Sequence, residues 1–210
     1  MLVGPPGAGK TTVGKALARR LDVPFTDADE LIVERAGKSI ADMFVDDGEP
    51  AFRALERAVV ADALAGTEGV LALGGGAVLA AETRELLREH RVVWLVVGLA
   101  DGVRRTGMSS ARPLLSGVNP RATFKALLDA RAPLYREVAT VEIDTVRRSP
   151  NQVVRAVLEA IGVMSPDDPV DPVDPADPFD MATPDDMQLL PDPTVGFPGG
   201  LLGSDRERPS

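Results

Sequence analysis

Apolar positions in the first 163 residues follow two spacings. Val70-Leu71-Ala72-Leu73 and Val92-Val93-Trp94-Leu95-Val96-Val97 are short continuous runs, the pattern of strands covered on both faces in a parallel sheet. Elsewhere apolar residues recur every three or four positions, the helical period. Val13, Leu17 and Leu21 predict a helix directly after Gly9, and Leu31 and Ile32 mark a second that closes near Gly37. Ser39 followed by Asp42 is a cap-like start for a third carrying Ile40, Met43 and Phe44. Phe52, Leu55, Val59 and Leu64 predict a longer helix over 48–65, and further helices are expected over 82–90, 121–137 and 151–161. Met1-Leu2-Val3, Pro24-Phe25-Thr26 and Val141-Glu142-Ile143 complete the strands. Strands alternating with helices predict a three-layer α/β/α fold around a parallel sheet. The polar segment 106–119, with its Gly, Ser, Arg and Pro residues, reads as a loop.

Composition divides the chain. Of its 210 residues, 23 are Lys or Arg and 32 Asp or Glu, a formal net charge of −9. Residues 1–163 hold 21 of each sign, so the whole excess lies in 164–210, with 11 acidic and 2 basic side chains. That stretch also carries 10 of the 18 prolines, and Asp168, Asp171, Asp174 and Asp177 each precede one. It is expected to be a disordered acidic tail beside a folded domain over 1–163. In a polyproline helix those carboxylates would stand about 9 Å apart, too far to converge on one calcium ion. With no cysteine there is no disulfide scaffold, thiolate zinc site or iron–sulfur cluster. No apolar run approaches membrane-spanning length, and no basic-then-apolar leader opens the chain. The expectation is a cytoplasmic protein without membrane or nucleic-acid partners.

The chemistry begins at Gly4-Pro5-Pro6-Gly7-Ala8-Gly9-Lys10-Thr11, a full G-x-x-x-x-G-K-[ST] match between a strand and a helix. Such a loop turns backbone N–H groups onto phosphates, and the helix start adds the positive end of its dipole. Lys10 reaches the β and γ phosphates and the Thr11 hydroxyl ligates Mg²⁺. Gly7, Ala8, Gly9, Lys10, Thr11 and Thr12 are therefore the candidate nucleotide-binding residues. Three further clusters follow strands, where ligands of open α/β sheets bind. Asp27 and Asp29, if extended, point to one side, one for the magnesium shell and the other for an attacking hydroxyl; either alone also suits a helix cap. Gly74-Gly75-Gly76 exposes amides to an anion, or is a plain flexible turn. Arg53, Arg112 and Arg131 supply cations, although Arg53 has the spacing to pair with Glu56 on a helix surface. Arg112, in the polar loop, is placed to swing toward a transferring phosphoryl group.

Taken together, the P-loop, Asp27-Ala28-Asp29, Ser39-Ile40-Ala41-Asp42-Met43-Phe44, Phe52-Arg53-Ala54-Leu55-Glu56, Leu73-Gly74-Gly75-Gly76-Ala77-Val78, Arg112-Pro113-Leu114 and Arg131-Ala132-Pro133-Leu134-Tyr135 resemble shikimate kinase in order and spacing across residues 1–162. The resemblance implies ATP-dependent phosphorylation of the 3-hydroxyl of shikimate, a step toward chorismate and the aromatic amino acids, with Mg²⁺ as cofactor. It implies a five-stranded parallel sheet of order 2-3-1-4-5, of the nucleoside-monophosphate-kinase type, and a monomer. By the same resemblance Asp29 binds substrate hydroxyls and serves as base, and Arg53, Arg131 and Gly74 to Gly76 hold the shikimate carboxylate. Arg112 belongs to a lid over about 106–119, and Asp27 assists Thr11 with the metal. Arg105 and the Ser149-Pro150 turn lie near the adenine, and Phe44 and Phe52 wall the ring. The single histidine, His90, is expected to be exposed and uninvolved.

Two departures accompany the match. Family members carry several more residues ahead of the P-loop. The expectation is either a start upstream of Met1 or a domain weakened by several ladder hydrogen bonds of about 1 kcal/mol each. The acidic tail is the other, and its removal after Val163 is expected to leave turnover within about twofold. Two rivals share the residues: a related kinase for another polyhydroxy acid such as gluconate, and a nucleotide-binding regulatory module without turnover. The combination of Asp29, Arg53, Gly74 to Gly76 and Arg131 favours shikimate over gluconate, and Asp29 with the arginines Arg53, Arg112 and Arg131 argues against a module that has no need of an acceptor pocket.

Overall fold

The computed structural model describes residues 1–106 and 119–165. Five parallel strands form one sheet: β1 (Leu2–Val3), β2 (Phe25–Asp27), β3 (Val70–Ala72), β4 (Val93–Val96) and β5 (Val141–Asp144). Their order is β2-β3-β1-β4-β5, as the resemblance implied. Among the described residues eight α-helices surround the sheet: α1 (Lys10–Leu21), α2 (Ala28–Ala36), α3 (Ile40–Asp46), α4 (Gly48–Gly66), α5 (Ala81–Leu87), α6 (Leu99–Thr106), α7 (Pro120–Val138) and α8 (Pro150–Ala160).

The apolar runs are strands because both faces of the sheet are covered. Leu2, Val70, Val93, Leu95 and Ile143 enter a core with Val13 and Leu17 of α1 and Val153, Val154, Val157 and Leu158 of α8. Val3, Leu71, Leu73 and Trp94 pack on the opposite face, against Val60 and Leu64 of α4, Leu87 of α5 and Tyr135 and Val138 of α7. Neighbouring residues of a strand thus serve opposite cores, the period of two that a pleat imposes. Full burial of a leucine or valine stabilises the fold by about 1.5–3 kcal/mol. A satellite cluster of Ile32, Met43, Phe52 and Val59 ties α2, α3 and α4 into a unit beside the carboxyl end of β2.

Predicted elements agree with the observed ones to within a few residues, with two additions. Leu99–Thr106, left unassigned by the sequence pattern, is α6. Its period is hard to see because Gly102 sits at the buried centre, where a methyl group would strike the Phe124 ring of α7. Ala77–Leu79 forms a 3-10 turn after the triple glycine. His90, in the turn after α5, is half-buried rather than exposed, and its amide donates to the Leu87 carbonyl at 3.0 Å. Residues 107–118, most of the expected lid, and 166–210, nearly all of the expected tail, lie outside the described residues.

Candidate active site

The P-loop joins β1 to α1. Gly9, the residue before α1, has φ 87°, in the left-handed region that glycine tolerates best. Gly4, at φ 147°, lies so near β4 that a Cβ would come within 2.6 Å of the Leu95 carbonyl oxygen. Lys10 donates through Nζ to the carbonyls of Gly4 (2.9 Å) and Pro5 (3.1 Å), which folds its ammonium over the loop. Ala8 is buried, with its amide on the Pro5 carbonyl at 3.2 Å, and Thr12 follows in the first turn of α1. The loop is flanked by α6. Arg105 donates through Nη1 to the Gly7 carbonyl at 3.2 Å, and burial pushes its pKa below the usual guanidinium value.

Thr11 and Asp27 meet beside this loop. The Thr11 hydroxyl donates to Asp27 Oδ2 at 2.8 Å, while Asp27 Oδ1 accepts the Asp29 amide at 3.0 Å as the cap of α2. Asp27 is therefore a helix cap and a partner of Thr11 at once. Asp27 and Asp29 are not extended together: the chain turns at Ala28, and Asp29 stands in the first turn of α2. Asp29 still faces the site, because capping aims that first turn at the end of β3. A hydroxyl and a carboxylate beside a phosphate loop are hard oxygen donors of the kind magnesium takes, together with phosphate oxygens and water. Among the described residues no cluster of three or more His, Cys, Asp or Glu side chains suits a metal.

Gly74-Gly75-Gly76 follows β3, next to β1, with the Leu73 amide bonded to the Leu2 carbonyl at 3.0 Å. None of the three has a left-handed φ. They are glycines because of what crowds them. A Cβ on Gly74 would stand 2.6 Å from Asp29 Oδ1 and 3.1 Å from Glu56 Oε1. One on Gly75 would stand 3.0 Å from Pro6 of the P-loop, and one on Gly76 would collide with the Arg53 guanidinium. The turn is thus the common wall of the P-loop, Asp29 and Arg53.

Arg53 is held by Glu56 (Nη1 to Oε2, 2.6 Å) and by Glu49 (Nη2 to Oε1, 3.2 Å), and it lies over the Phe52 ring at 5.1 Å. Its side chain is only 17% exposed and that of Glu56 5%, so this is not the solvated surface pair that the spacing alone also allowed. Phe44 packs on Phe52 with centroids 4.7 Å apart. From α7, Arg131 donates through Nη1 to the Gly75 carbonyl at 3.1 Å, and the Tyr135 hydroxyl donates to the same oxygen at 2.6 Å. Burial pushes the Tyr135 phenol up to about 12.

The geometry brings together Lys10, Thr11, Asp27, Asp29, Arg53, Gly74, Gly75, Gly76 and Arg131, with Arg105 against the back of the P-loop. Pro150 is the first residue of α8, behind a Ser149 cap that Gln152 reciprocates at 2.8 Å. Arg112 lies outside the described residues. Sequence reasoning passed over Glu56, Tyr135 and Pro6 as parts of the site. Tyr135 carried one usable signal, its position one helical turn beyond Arg131. The burial of Glu56 comes only with the tertiary fold.

The family model described as shikimate kinase matches residues 6–162. A shikimate kinase of Saccharopolyspora erythraea is 62% identical over 161 residues, covering 77% of this chain and 92% of that protein. One of Rhodococcus jostii is 50% identical over 158 residues, covering 75% and 94%. Among solved structures, shikimate kinase from Acinetobacter baumannii in complex with shikimate superposes with a TM-score of 0.74 at 40% identity, over 76% of this chain and 90% of that one. The enzyme from Aquifex aeolicus superposes with a TM-score of 0.67 at 30% identity, over 77% and 94%. The chain belongs to the shikimate kinase family, whose members are ATP-dependent kinases acting on shikimate.

Proposed function

We propose that this chain transfers the γ-phosphoryl group of ATP to the 3-hydroxyl of shikimate, giving shikimate 3-phosphate and ADP, with Asp29 as the group that receives the hydroxyl proton. The observation that carries the reading is the triple-glycine turn, pressed on one side by Pro6 of the P-loop and on the others by Asp29 and Arg53. In this reading one short turn lines both the phosphate loop and the acceptor residues, so donor and acceptor are held side by side. Phosphoryl transfer asks chiefly for positioning and charge neutralisation.

In this reading the amides of Gly7, Ala8, Gly9, Lys10, Thr11 and Thr12 cradle the phosphates. Lys10 leaves the Gly4 and Pro5 carbonyls for the β and γ oxygens. Thr11 and Asp27 hold Mg²⁺, which neutralises charge on those phosphates when bound. Arg105 and Pro150 flank the base, and Arg112 approaches the transferring group from the lid. On the acceptor side a planar, bidentate guanidinium suits a carboxylate. Arg53, pre-oriented by Glu56 and Glu49, and Arg131 take the shikimate carboxylate with the glycine turn, while Asp29 accepts from the ring hydroxyls. The two carboxylates on Arg53 leave it less than a full positive charge to offer, so Arg131 carries the larger share of anion binding.

Release of ADP with shikimate, gluconate or no acceptor tests the reading, since only shikimate is expected to accelerate it. Arg131→Ala is expected to raise the Michaelis constant for shikimate at least tenfold more than that for ATP, roughly the loss of one charge-assisted pair. Equal effects on both constants refute its role. We also take the enzyme as a cytoplasmic monomer without nucleic-acid or membrane partners. Among the described residues no helix is long and apolar enough to cross a membrane.

A further inference from the structure

Tyr135 is the single tyrosine of the chain, and its buried ring stacks on the single tryptophan, Trp94, with centroids 5.7 Å apart. Its hydroxyl and Arg131 Nη1 converge on one acceptor, the Gly75 carbonyl, at 2.6 and 3.1 Å. A carbonyl oxygen has two lone pairs, and both are engaged. The peptide between Gly75 and Gly76 is trans, so a carbonyl fixed toward α7 turns the Gly76 amide away from α7. The two donors differ in freedom. Tyr135 is wedged between α7 and β4 and has a rigid ring, whereas Arg131 is half-buried on a long, flexible stem. When Arg131 turns its Nη1 edge to an anion it gives up Gly75, and a half-buried carbonyl left without any donor is costly.

We infer that Tyr135 is a positioning residue for the acceptor: its hydroxyl keeps the Gly75 carbonyl paired and the glycine turn in place, so that Arg131 is released to bind an anionic acceptor group. The inference rests on the assignment of Arg131 to the acceptor carboxylate. It predicts that the two α7 side chains are energetically coupled, through the shared Gly75 oxygen and through the direct hydrogen bond between Arg131 and the Tyr135 hydroxyl.

Tyr135→Phe removes only the hydroxyl and leaves Arg131 to hold the carbonyl by itself. The expected result is a five- to tenfold rise in the Michaelis constant for shikimate, about the loss of one hydrogen bond. That for ATP stays within twofold and kcat within threefold. In an Arg131→Ala background the same change is expected to add less than twofold, because no donor then has to leave. Both Michaelis constants rising together, or the full effect persisting without Arg131, assigns Tyr135 to packing alone and overturns the inference. Arg131→Ala acting equally on both substrates instead removes the underlying assignment, so the two failures are distinct. A measurement on the unmutated ring needs no folding control. Tyrosine labelled with ¹³C at Cζ gives one resonance, expected to shift with saturating shikimate, to stay fixed with ADP alone, and to stop responding in Arg131→Ala. A resonance that shikimate does not move refutes the hand-over.

Discussion

Gly74→Ala separates catalysis from folding at one atom. Gly74 does not have a left-handed φ, so alanine is tolerated by the backbone and slightly restricts the unfolded chain. Its methyl group would nevertheless stand 2.6 Å from Asp29 Oδ1 and 3.1 Å from Glu56 Oε1. Ordinary contact begins near 3.4 Å, so the Asp29 carboxylate must retreat by roughly 0.8 Å. The backbone of Asp29 has little room to follow, since its amide is fixed to Asp27 Oδ1 at 3.0 Å, and the side chain must therefore rotate. A misplacement of about 1 Å at a reacting centre costs on the order of a hundredfold. The expected loss in kcat is thus about ten- to hundredfold, or about 1.4–2.7 kcal/mol of barrier. The Michaelis constant for ATP is expected to hold, because the P-loop side of the turn is touched by Gly75 rather than Gly74. Steady-state ADP release, run beside a thermal melt, measures both halves. A variant that keeps kcat within threefold at an unchanged melting temperature would show that Asp29 is not held where the proton transfer needs it.

Three further outcomes are expected. Gly102→Ala drives a methyl group into the Phe124 ring, an overpacking cost of about 1–3 kcal/mol against a helix-propensity gain of about 1; the melting temperature falls by a few degrees, whereas Gly66→Ala, which meets open space, does not lower it. Asp27→Asn retains an oxygen to cap Asp29 but loses its charge beside Thr11, so the magnesium concentration for half-maximal turnover rises about tenfold at nearly unchanged stability, as titration of the metal against activity and melting will show. Tyr135 titrates at about 12 in the folded chain and near 10 when unfolded, so the native state keeps its proton longer. Its contribution to stability is intact below pH 10 and declines as pH rises from 10 to 12, by about 2–3 kcal/mol in all. Denaturant titrations are expected to show this alkaline loss in the native sequence and not in Tyr135→Phe.

The fold was legible because its strands are continuous apolar runs and its helices carry periodic faces. Val92 to Val97, a run rich in β-branched residues, suits a strand between two covered faces, and β4 is that strand. The P-loop was legible for another reason: its glycines, lysine and threonine are contiguous, so one local pattern holds the whole device. The acceptor side is assembled from four separate elements, and only type and order could be read. Arg53 illustrates the limit. Its spacing to Glu56 fits a surface pair as well as a buried one, and what decides is the glycine turn after β3, against which both side chains lie. Leu99–Thr106 escaped because its contact with α7 depends on the absence of a side chain at Gly102, and a pattern of apolar residues cannot register a methyl group that is not there. Asp29 is presented to the glycine turn by a helix turn and not by the extended segment that its spacing to Asp27 suggested.

The adjacency of β1 and β3 has a consequence for ligand design. Neighbouring strands lie about 4.8 Å apart, and the P-loop and the glycine turn grow from the ends of these two. A Cβ on Gly75 would stand 3.0 Å from Pro6, so among the described residues the glycine turn lies directly beside the P-loop. A compound that joins a carboxylated ring to a polyphosphate therefore needs a bridge of only a few atoms, and a longer tether would buckle. The sheet, through its hydrogen-bond spacing, sets the length of any inhibitor that spans both halves.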